Sequence, residues 1–261
     1  MESTYQTVPD TTSCSLLEEK MNQYWDDRSK SYSAQNRGQL FGEKKQAWEE
    51  LIFHQLPQTK PLRVLDIGTG PGFFAILAAL RGHQVTAVDL NGEMLKQARE
   101  NAASCGVSIH FQQVGNRLPF AAGSFDLVMS RDVTWTLTSP EEQLLQWASL
   151  LAPGGTMLYF DAEWYGYLKS DRHKRLHDAY RKEVKRKGGF CYQKANDMES
   201  VAVNLPMTYR NRPQWDRAFW QAQPSYTCEL LEGLNETVYN PTEQMQYAPY
   251  PEFLVRVKRK P

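Results

Sequence analysis

The sequence predicts an α/β fold in which a doubly wound, mostly parallel seven-stranded sheet carries helices on both faces. Short apolar runs alternate with helical stretches from residue 63 to residue 161, which is typical of βαβ units with right-handed crossovers. Continuous apolar runs, rather than alternating ones, indicate strands buried on both faces. Two later strand-like runs are expected to complete the sheet as an antiparallel hairpin.

Each element of this fold has its own sequence signal. The apolar runs predict strands at 63–67, 84–89, 108–113, 125–130 and 156–161, and a final pair at 226–232 and 253–259. A period near 3.6 residues predicts two helices before residue 57, and further helices at Phe73–Arg81, Glu93–Cys105 and Pro140–Leu151. The last of these is expected to end before Pro153-Gly154-Gly155.

The interruptions of this pattern divide the chain into five predicted regions. With 261 residues, the chain is long enough for one large domain that carries a small inserted cap. The regions are a mobile arm at 1–14, an N-terminal helical lid at 15–57, a core at 58–161, an inserted cap or substrate region at 162–225, and final strands at 226–261.

Composition excludes several classes of protein. Lysine plus arginine and aspartate plus glutamate each total 30, so no global electric field recruits nucleic acid or an anionic membrane. The N-terminus has neither a basic nor an apolar leader region, and no run of 18 apolar residues occurs, which predicts a cytoplasmic protein without membrane contact.

The four cysteines are widely spaced and contain no C-x-x-C pair, which argues against a zinc site or a redox motif. A thiophilic acceptor such as arsenite, held by several of these cysteines, stays an open alternative.

A glycine-rich segment, Val64-Leu65-Asp66-Ile67-Gly68-Thr69-Gly70-Pro71-Gly72, follows the first predicted strand and opens a helix. Its glycines allow a ligand close to the backbone, at a helix N-terminus with free N–H groups. A dinucleotide fingerprint would place a third glycine at Phe73, so that reading fails. Asp66 would repel a pyrophosphate, yet it suits a ligand with an ammonium and a sulfonium. The segment therefore predicts an S-adenosylmethionine (SAM) site.

Asp89 ends the second predicted strand, where an acidic side chain can accept hydrogen bonds from both ribose hydroxyls. Met94, just beyond it, is expected either to pack against adenine or to be an ordinary core residue of its helix.

The segments VLDIGTGPG, AVDLNGEML, LPFAAGSFDLVMSRDVTWTL and LLAPGGTMLYFD resemble the successive motifs of class I SAM-dependent methyltransferases. They are most similar to the type 11 group, which includes the ubiquinone and menaquinone biosynthesis methyltransferases. The resemblance covers residues 20–161. It implies a Rossmann-like fold, SAM as cofactor, and methyl transfer. It also implies that Asp66, Gly68 and Gly70 hold the methionyl end, Asp89 the ribose and Met94 the adenine, with Arg131 near the methionyl group and the acceptor.

Two further positions follow from the resemblance. Many relatives carry Gly-Asp-Ala before the LPF motif, with the aspartate bonded to the adenine amino group. Here Asn116 lies near that place and its amide oxygen can substitute. The segment YWDDRSKSY (24–32) resembles the segment that closes over SAM, which places Tyr32 at the cofactor. Alternatively, Trp25 and Tyr32 only pack on the sheet.

The acceptor side is expected after the fourth and fifth strands, where Asp132, Asp161 and Glu163 are candidate general bases. Trp135, Trp164 and Tyr165 flank them. Aromatic side chains beside carboxylates are typical of a pocket for a flat or cationic ligand. We therefore expect a small acceptor with an amine, another basic nitrogen, or a ring; the alternative is that these aromatics only pack under the cap.

Other functions stay open. The helical run 169–187 carries nine basic residues against three acids, so it could dock RNA or a protein substrate. A solvated cap helix is the favoured interpretation because the chain as a whole is neutral, and nucleic acid is not an expected partner. A non-catalytic SAM-binding regulator is a further alternative. His173 and His177 form a weak metal-ligand pair without a third ligand, so no metal site is expected. Arg210 and Arg212 could clamp an anionic substrate or serve structure.

Overall fold

The computed structural model describes residues 11–56, 60–188 and 195–260. Most of the mobile arm expected at 1–14 lies outside these residues, and a helix already begins at Thr11. The side chains of Cys14 and Cys191 also lie outside the described part.

The described residues contain seven strands in one sheet: β1 Arg63–Ile67, β2 Gln84–Asp89, β3 His110–Gln113, β4 Phe125–Arg131, β5 Leu151–Asp161, β6 Tyr226–Glu232 and β7 Phe253–Arg259. Their order is β3-β2-β1-β4-β5-β7-β6. The first five strands pair in parallel, whereas β7 is antiparallel to both β5 and β6. The predicted mostly parallel sheet with a final antiparallel hairpin is confirmed.

Helices cover both faces of this sheet. In the described residues they are α1 Thr11–Leu40, α2 Lys44–Phe53, α3 Phe73–Leu80, α4 Gly92–Ser104, α5 Pro140–Ser149, α6 Asp171–Arg186, α7 Ala195–Ala202, α8 Gln214–Gln221, α9 Asn235–Val238 and α10 Pro241–Tyr247. None of them is both long and apolar enough to cross a bilayer.

Three strands differ from their predicted bounds: β3 begins at His110 and not at 108, β4 ends at Arg131 and not at 130, and β5 differs most. β5 begins at Leu151, so Pro153-Gly154-Gly155 lies within it instead of forming a turn before it. The pairing with β4 shifts register between Phe125 and Leu127, which accommodates these residues as an irregularity of the ladder. The proline and the two glycines thus mark an irregular start of this strand. In the sequence alone, the same residues are typical of a turn.

The core has two layers because alternate residues of each strand face opposite sides of the sheet. In β5, Leu158 and Phe160 join the cluster that contains Trp48 of α2. Met157 and Tyr159 join the cluster that contains Trp220 of α8. Both faces are therefore buried, which explains the continuous apolar sequence of the central strands.

The insertion after β5 packs against the N-terminal helix. Leu17 and Met21 of α1 share a third buried cluster with Trp135 and with Met198 and Val201 of α7. These two regions, distant in sequence, meet above the carboxyl ends of the central strands and enclose the space between them.

Candidate active site

Two cavities lie at the carboxyl ends of the central strands. The first, which we call the glycine-loop cavity, has a volume of about 440 Å³ and is lined by the loop after β1 and the end of β2. The second, the aromatic cavity, has a volume of about 580 Å³ and lies under the insertion. Trp25, Tyr32, Arg131 and Asp132 line both. The cavities are therefore neighbours with a common wall.

The glycine loop is held open by backbone geometry. Gly68 has φ +65°, and a Cβ atom there would lie 2.3 Å from Cγ2 of Val133. Only glycine fits both this left-handed conformation and the close approach of the loop after β4. The N–H of Gly70 donates to Oδ2 of Asp89 at 2.8 Å, which ties the loop to the end of β2.

Two carboxylates face this loop, the buried Asp66 and the half-buried Asp89. Asp66 accepts hydrogen bonds from the Thr69 hydroxyl at 2.6 Å and from the Ala75 N–H at 3.0 Å. Burial raises the pKa of Asp66 to about 7 and the pKa of Asp89 to about 6. A positively charged ligand would stabilise both ionised carboxylates, whereas a pyrophosphate would be repelled. The site therefore fits a cofactor with an ammonium and a sulfonium.

The cofactor residues expected from the sequence come together in one place. All of them line the glycine-loop cavity: Asp66, Gly68, Gly70, Asp89, Met94, Asn116, Arg131 and Tyr32. The Asn116 amide N–H₂ donates to the Glu18 carboxylate, which leaves its carbonyl oxygen for other partners. Burial also raises the pKa of the Tyr32 hydroxyl to about 12.

Asn91 is a residue of this cavity that sequence reasoning missed. Its side-chain oxygen caps α4 by accepting from the Met94 N–H at 2.8 Å. Its amide N–H₂ donates to Asp26 at 2.7 Å and to the side chain of Asn22 at 2.8 Å, both on α1. The N-cap is readable in the sequence, but the link to α1 depends on tertiary contact.

Asp132 occupies the wall between the cavities in an unusual conformation. It has φ +58°, a left-handed value that a residue other than glycine adopts at a cost. Burial raises the pKa of its carboxyl to about 8; Arg131 opposes this rise, Glu252 and Asp161 add to it, and the Trp164 indole N–H lowers it. The carboxyl is therefore neutral for much of the range below pH 8.

Arg131 stands beside this carboxyl, with its Nε 3.4 Å from Oδ2 of Asp132. Its guanidinium carbon lies 4.2 Å from the centre of the Trp48 ring, and Nη1 donates to Gln39 at 2.9 Å. Burial opposes its charge, but Asp132 and other nearby groups raise the pKa of Arg131 above its ordinary value. Arg131 is thus a fixed buried cation between the two cavities.

The structure gives Asp161 a different environment from the one expected for a base. Its carboxylate accepts hydrogen bonds from the Thr134 hydroxyl and the Trp135 N–H, and it pairs with Arg212 at 3.1 Å. Its side chain is fully buried, and it lines neither of the two cavities. Because all its contacts are with the protein, this geometry favours a structural role for Asp161 over the predicted base role.

Arg212 is also bound within the protein, which favours a structural role for it over a clamp for an anionic substrate. It binds Asp216 through two N–H groups, at 2.8 and 3.0 Å, in addition to Asp161. Asp216 in turn accepts from the Tyr159 hydroxyl at 3.0 Å. Arg210 instead pairs with Glu141 at the surface. Neither arginine lines the two cavities.

The expected acceptor residues Trp135, Trp164 and Tyr165 all line the aromatic cavity. The structure adds aromatic side chains that sequence reasoning missed. They come from α1, from the insertion and from the segment before β7: Tyr24, Tyr167, Tyr180, Tyr239, Tyr247 and Tyr250. Tyrosines at scattered positions give no periodic signal, so this convergence is visible only in the fold.

The remaining candidates have ordinary roles. His177 stacks on Tyr167 with ring centres 3.6 Å apart, while His173 lies at the helix start beside Ser170. In the part of the chain that the structure covers, no group of three or more His, Cys, Asp and Glu side chains could hold a metal. Cys105 and Cys228 lie toward opposite edges of the sheet, one after α4 and one in the edge strand β6, so these two do not converge.

A protein family described as "Methyltransferase domain" matches residues 65–159, which span the glycine loop, Asp89 and Asp132. The chain carries a class I SAM-dependent methyltransferase domain. SAM is the cofactor of this domain, and the resemblance to the type 11 group is confirmed.

Three curated relatives show how far the similarity of this methyltransferase domain extends. A ubiquinone biosynthesis O-methyltransferase of Caulobacter sp. (strain K31) is 39% identical over 37% of this chain and 39% of its own length. A malonyl-[acyl-carrier protein] O-methyltransferase of Erwinia pyrifoliae is 38% identical over 44% of this chain and 42% of its own length. A tRNA 5-carboxymethoxyuridine methyltransferase of Escherichia coli K12 is 32% identical over 53% of this chain and 56% of its own length. The chain thus matches 39% to 56% of the length of these relatives.

Solved structures confirm the fold over a larger part of the chain. A SAM-dependent methyltransferase from Aquifex aeolicus superposes with a TM-score of 0.56 at 14% identity, covering 90% of this chain and 98% of that one. Phosphoethanolamine N-methyltransferase 2 of Haemonchus contortus reaches a TM-score of 0.60 at 18% identity, covering 93% of this chain and 59% of that one. The similarity of fold to these structures thus extends over about nine tenths of this chain.

Proposed function

We propose that this protein transfers a methyl group from SAM to a small-molecule acceptor held in the aromatic cavity. The observation that carries the proposal is the common wall of the two cavities, which Trp25, Tyr32, Arg131 and Asp132 form. A cofactor on one side and an acceptor on the other side of Asp132 would be close enough for direct transfer. Positioning of this kind can supply much of the rate, up to effective molarities of about 10⁵–10⁸ M.

Each side of the glycine-loop cavity has a role in cofactor binding under this proposal. Asp66, Gly68 and Gly70 hold the methionyl end, and Asp89 accepts hydrogen bonds from the ribose hydroxyls with lone pairs that its two backbone partners leave open. Met94 and Asn116 border the adenine. When bound, SAM supplies a methyl group made electrophilic by the adjoining sulfonium.

Asp132 is the general base of the proposal. A base works best when its pKa lies near the working pH, and burial brings the pKa of Asp132 to about 8. It would accept the proton that an amine or hydroxyl acceptor must lose. Glu163, a second candidate from the sequence, lines neither cavity and pairs with Lys169, so we assign it no chemical role.

Helix α1 excludes water from the reacting groups in this proposal. Trp25 and Tyr32 of this helix form part of the common wall. Asp26 accepts a hydrogen bond from Asn91 at 2.7 Å, which fixes the helix over the glycine-loop cavity. A site closed in this way strengthens the electrostatic interactions inside it. These contacts support the lid role that the sequence predicts for the N-terminal helical region.

RNA is a second candidate acceptor, because one relative is a tRNA methyltransferase. The basic helix α6 would then be the docking surface. Several of its charges are engaged within the protein: Lys174 pairs with Glu199 and Arg186 with Glu183. His177 and Val184 of the same helix face inward. These contacts support a solvated cap helix more than a nucleic-acid surface.

A transfer assay with methyl-labelled SAM separates the candidates. We expect label in the low-mass fraction of a cell extract, with release of S-adenosylhomocysteine, and no label in total tRNA. Asp132→Asn should abolish the signal, while Glu163→Gln, which changes a carboxylate outside both cavities, should retain it. Label in tRNA that disappears at high salt would favour the RNA acceptor. SAM binding without any transfer would favour a regulatory protein.

A further inference from the structure

Aromatic side chains make up nearly half of the residues that line the aromatic cavity. Trp135 and Tyr165 stand with centres 4.9 Å apart and planes inclined by 40°. In a second pair, the ring centres of Trp164 and Tyr250 lie 5.4 Å apart and their planes are inclined by 37°. Rings inclined to one another in this way form the corners of a box. A box of electron-rich faces attracts an organic cation as well as an apolar group.

Carboxylates lie behind two other tyrosine rings of the aromatic cavity. The Tyr167 hydroxyl donates to Glu199 at 2.8 Å, and the Tyr239 hydroxyl donates to the buried Glu252. Asp132 adds a third carboxyl in the wall, which becomes negative as the pH rises through its raised pKa of about 8. Hydroxyl groups that donate to carboxylates turn away from the ligand and leave the rings more negative. The electrostatic potential inside the box therefore favours a positive charge.

Three arginines also line the cavity, and each of them is engaged by the protein. Arg131 stacks on Trp48 and binds Gln39. Arg28 donates to the Tyr24 hydroxyl at 3.1 Å and lies 5.3 Å from the centre of the Tyr32 ring. Arg181 also has contacts within the protein. Each of these cations therefore already has a partner in the protein, and aromatic rings form a large part of the remaining wall.

We propose that the aromatic cavity binds the methyl acceptor as a small organic ammonium ion. This inference rests on the proposed function and names its class of substrate. The ammonium loses one proton to the Asp132 carboxylate and becomes a neutral amine. The nitrogen lone pair then forms the new N–C bond as the C–S bond breaks, with its electrons passing to sulfur. The methylated product is again an ammonium ion, so the aromatic rings attract it as they attract the substrate.

Choline and 3,3-dimethylbutan-1-ol test this directly, because they have nearly the same shape and differ in the charge at one atom. We would titrate each into protein saturated with S-adenosylhomocysteine and measure heat. Choline should bind at least about tenfold more tightly, since a desolvated cation over aromatic faces gains on the order of this factor per good contact. The preference should fall in Tyr165→Leu and survive in Tyr165→Phe, which keeps the ring.

The outcomes separate the two proposals. Equal binding of the two probes, or no binding of either, with S-adenosylhomocysteine bound normally, would overturn the ammonium proposal and leave methyl transfer intact. Absence of S-adenosylhomocysteine binding would instead overturn the proposed function. Tyr165 lines only the aromatic cavity, so cofactor affinity should be unchanged in both variants and reports their folding.

Discussion

The two cavities are built in different ways. The glycine-loop cavity takes its main groups from one short stretch of sequence between Asp66 and Met94. The aromatic cavity draws on α1, the loop after β4, the insertion and the segment before β7. Cofactor chemistry is thus encoded by neighbouring residues, whereas the acceptor site depends on long-range packing. Substitutions should therefore separate a local effect on cofactor affinity from effects on acceptor chemistry and on global stability.

The largest effect should come from Asp132→Asn, which removes the base and keeps the shape of the wall. We expect kcat to fall by about 10²–10⁴, the usual contribution of a positioned general base. SAM affinity should change little, because the groups that hold the cofactor remain. The measurement is initial rate with calorimetric SAM titration on the same preparations; an unchanged kcat would remove Asp132 from the chemistry.

Arg212→Met should lower the free energy of unfolding of the protein, because it removes a buried cation near the aromatic cavity. It leaves the buried carboxylates of Asp161 and Asp216 without their cation, and loss of one partner from a buried ion pair costs about 3–5 kcal/mol. Denaturant unfolding measures this. Arg217→Met, in α8, which begins two residues after Arg212, and about half exposed, is the matched control and should cost less than about 1 kcal/mol. Similar losses in both variants would contradict the structural role of Arg212 and its two carboxylate partners.

The pH dependence of turnover should report Asp132. Because its pKa is raised to about 8, the carboxyl holds its proton at lower pH and becomes a base only as pH rises through that value. We expect kcat to increase about tenfold per pH unit below about pH 8 and to level off above it, as for one ionising base. A profile that levels off near pH 4–5 would mean that Asp132 has an ordinary pKa.

The smallest effect should come from Asn91→Ala, which breaks the helix cap and the link to α1. Loss of an N-cap costs about 1 kcal/mol. SAM affinity should fall several-fold as well, because α1 loses its hydrogen bonds to the start of α4 beside the glycine-loop cavity. Asn204→Ala, a surface amide that bonds only within its own segment, is the control for both measurements. If the two variants behaved alike, α1 would not depend on Asn91.

The sequence carries clear signals for the cofactor side because most of them are local. Strands β1 and β2 have the predicted bounds, and the eight expected cofactor residues all line one cavity. The acceptor side was only partly predictable. Trp135, Trp164 and Tyr165 were found because they follow strand ends, which a parallel sheet brings to one edge.

What the sequence did not show depends on tertiary contact. Asp132 and Asp161 look equivalent after adjacent strands, yet Arg212, fifty-one positions beyond Asp161, turns one of them into a structural residue. Tyr247 and Tyr250 lie outside any periodic pattern and reach the cavity only because the chain returns to β7. No local signal distinguishes such residues from surface tyrosines.

The most direct test of the account is calorimetric titration of SAM and S-adenosylhomocysteine, with NADH as a negative control, into the wild-type protein and Asp89→Ala. We predict micromolar binding of both adenosyl ligands, no binding of NADH, and a loss of affinity of tenfold or more in Asp89→Ala, about 1.4 kcal/mol per factor of ten. Glu93→Ala, an exposed acid nearby on α4, should bind like wild type. Binding of NADH without binding of SAM would contradict the assignment of the glycine-loop cavity.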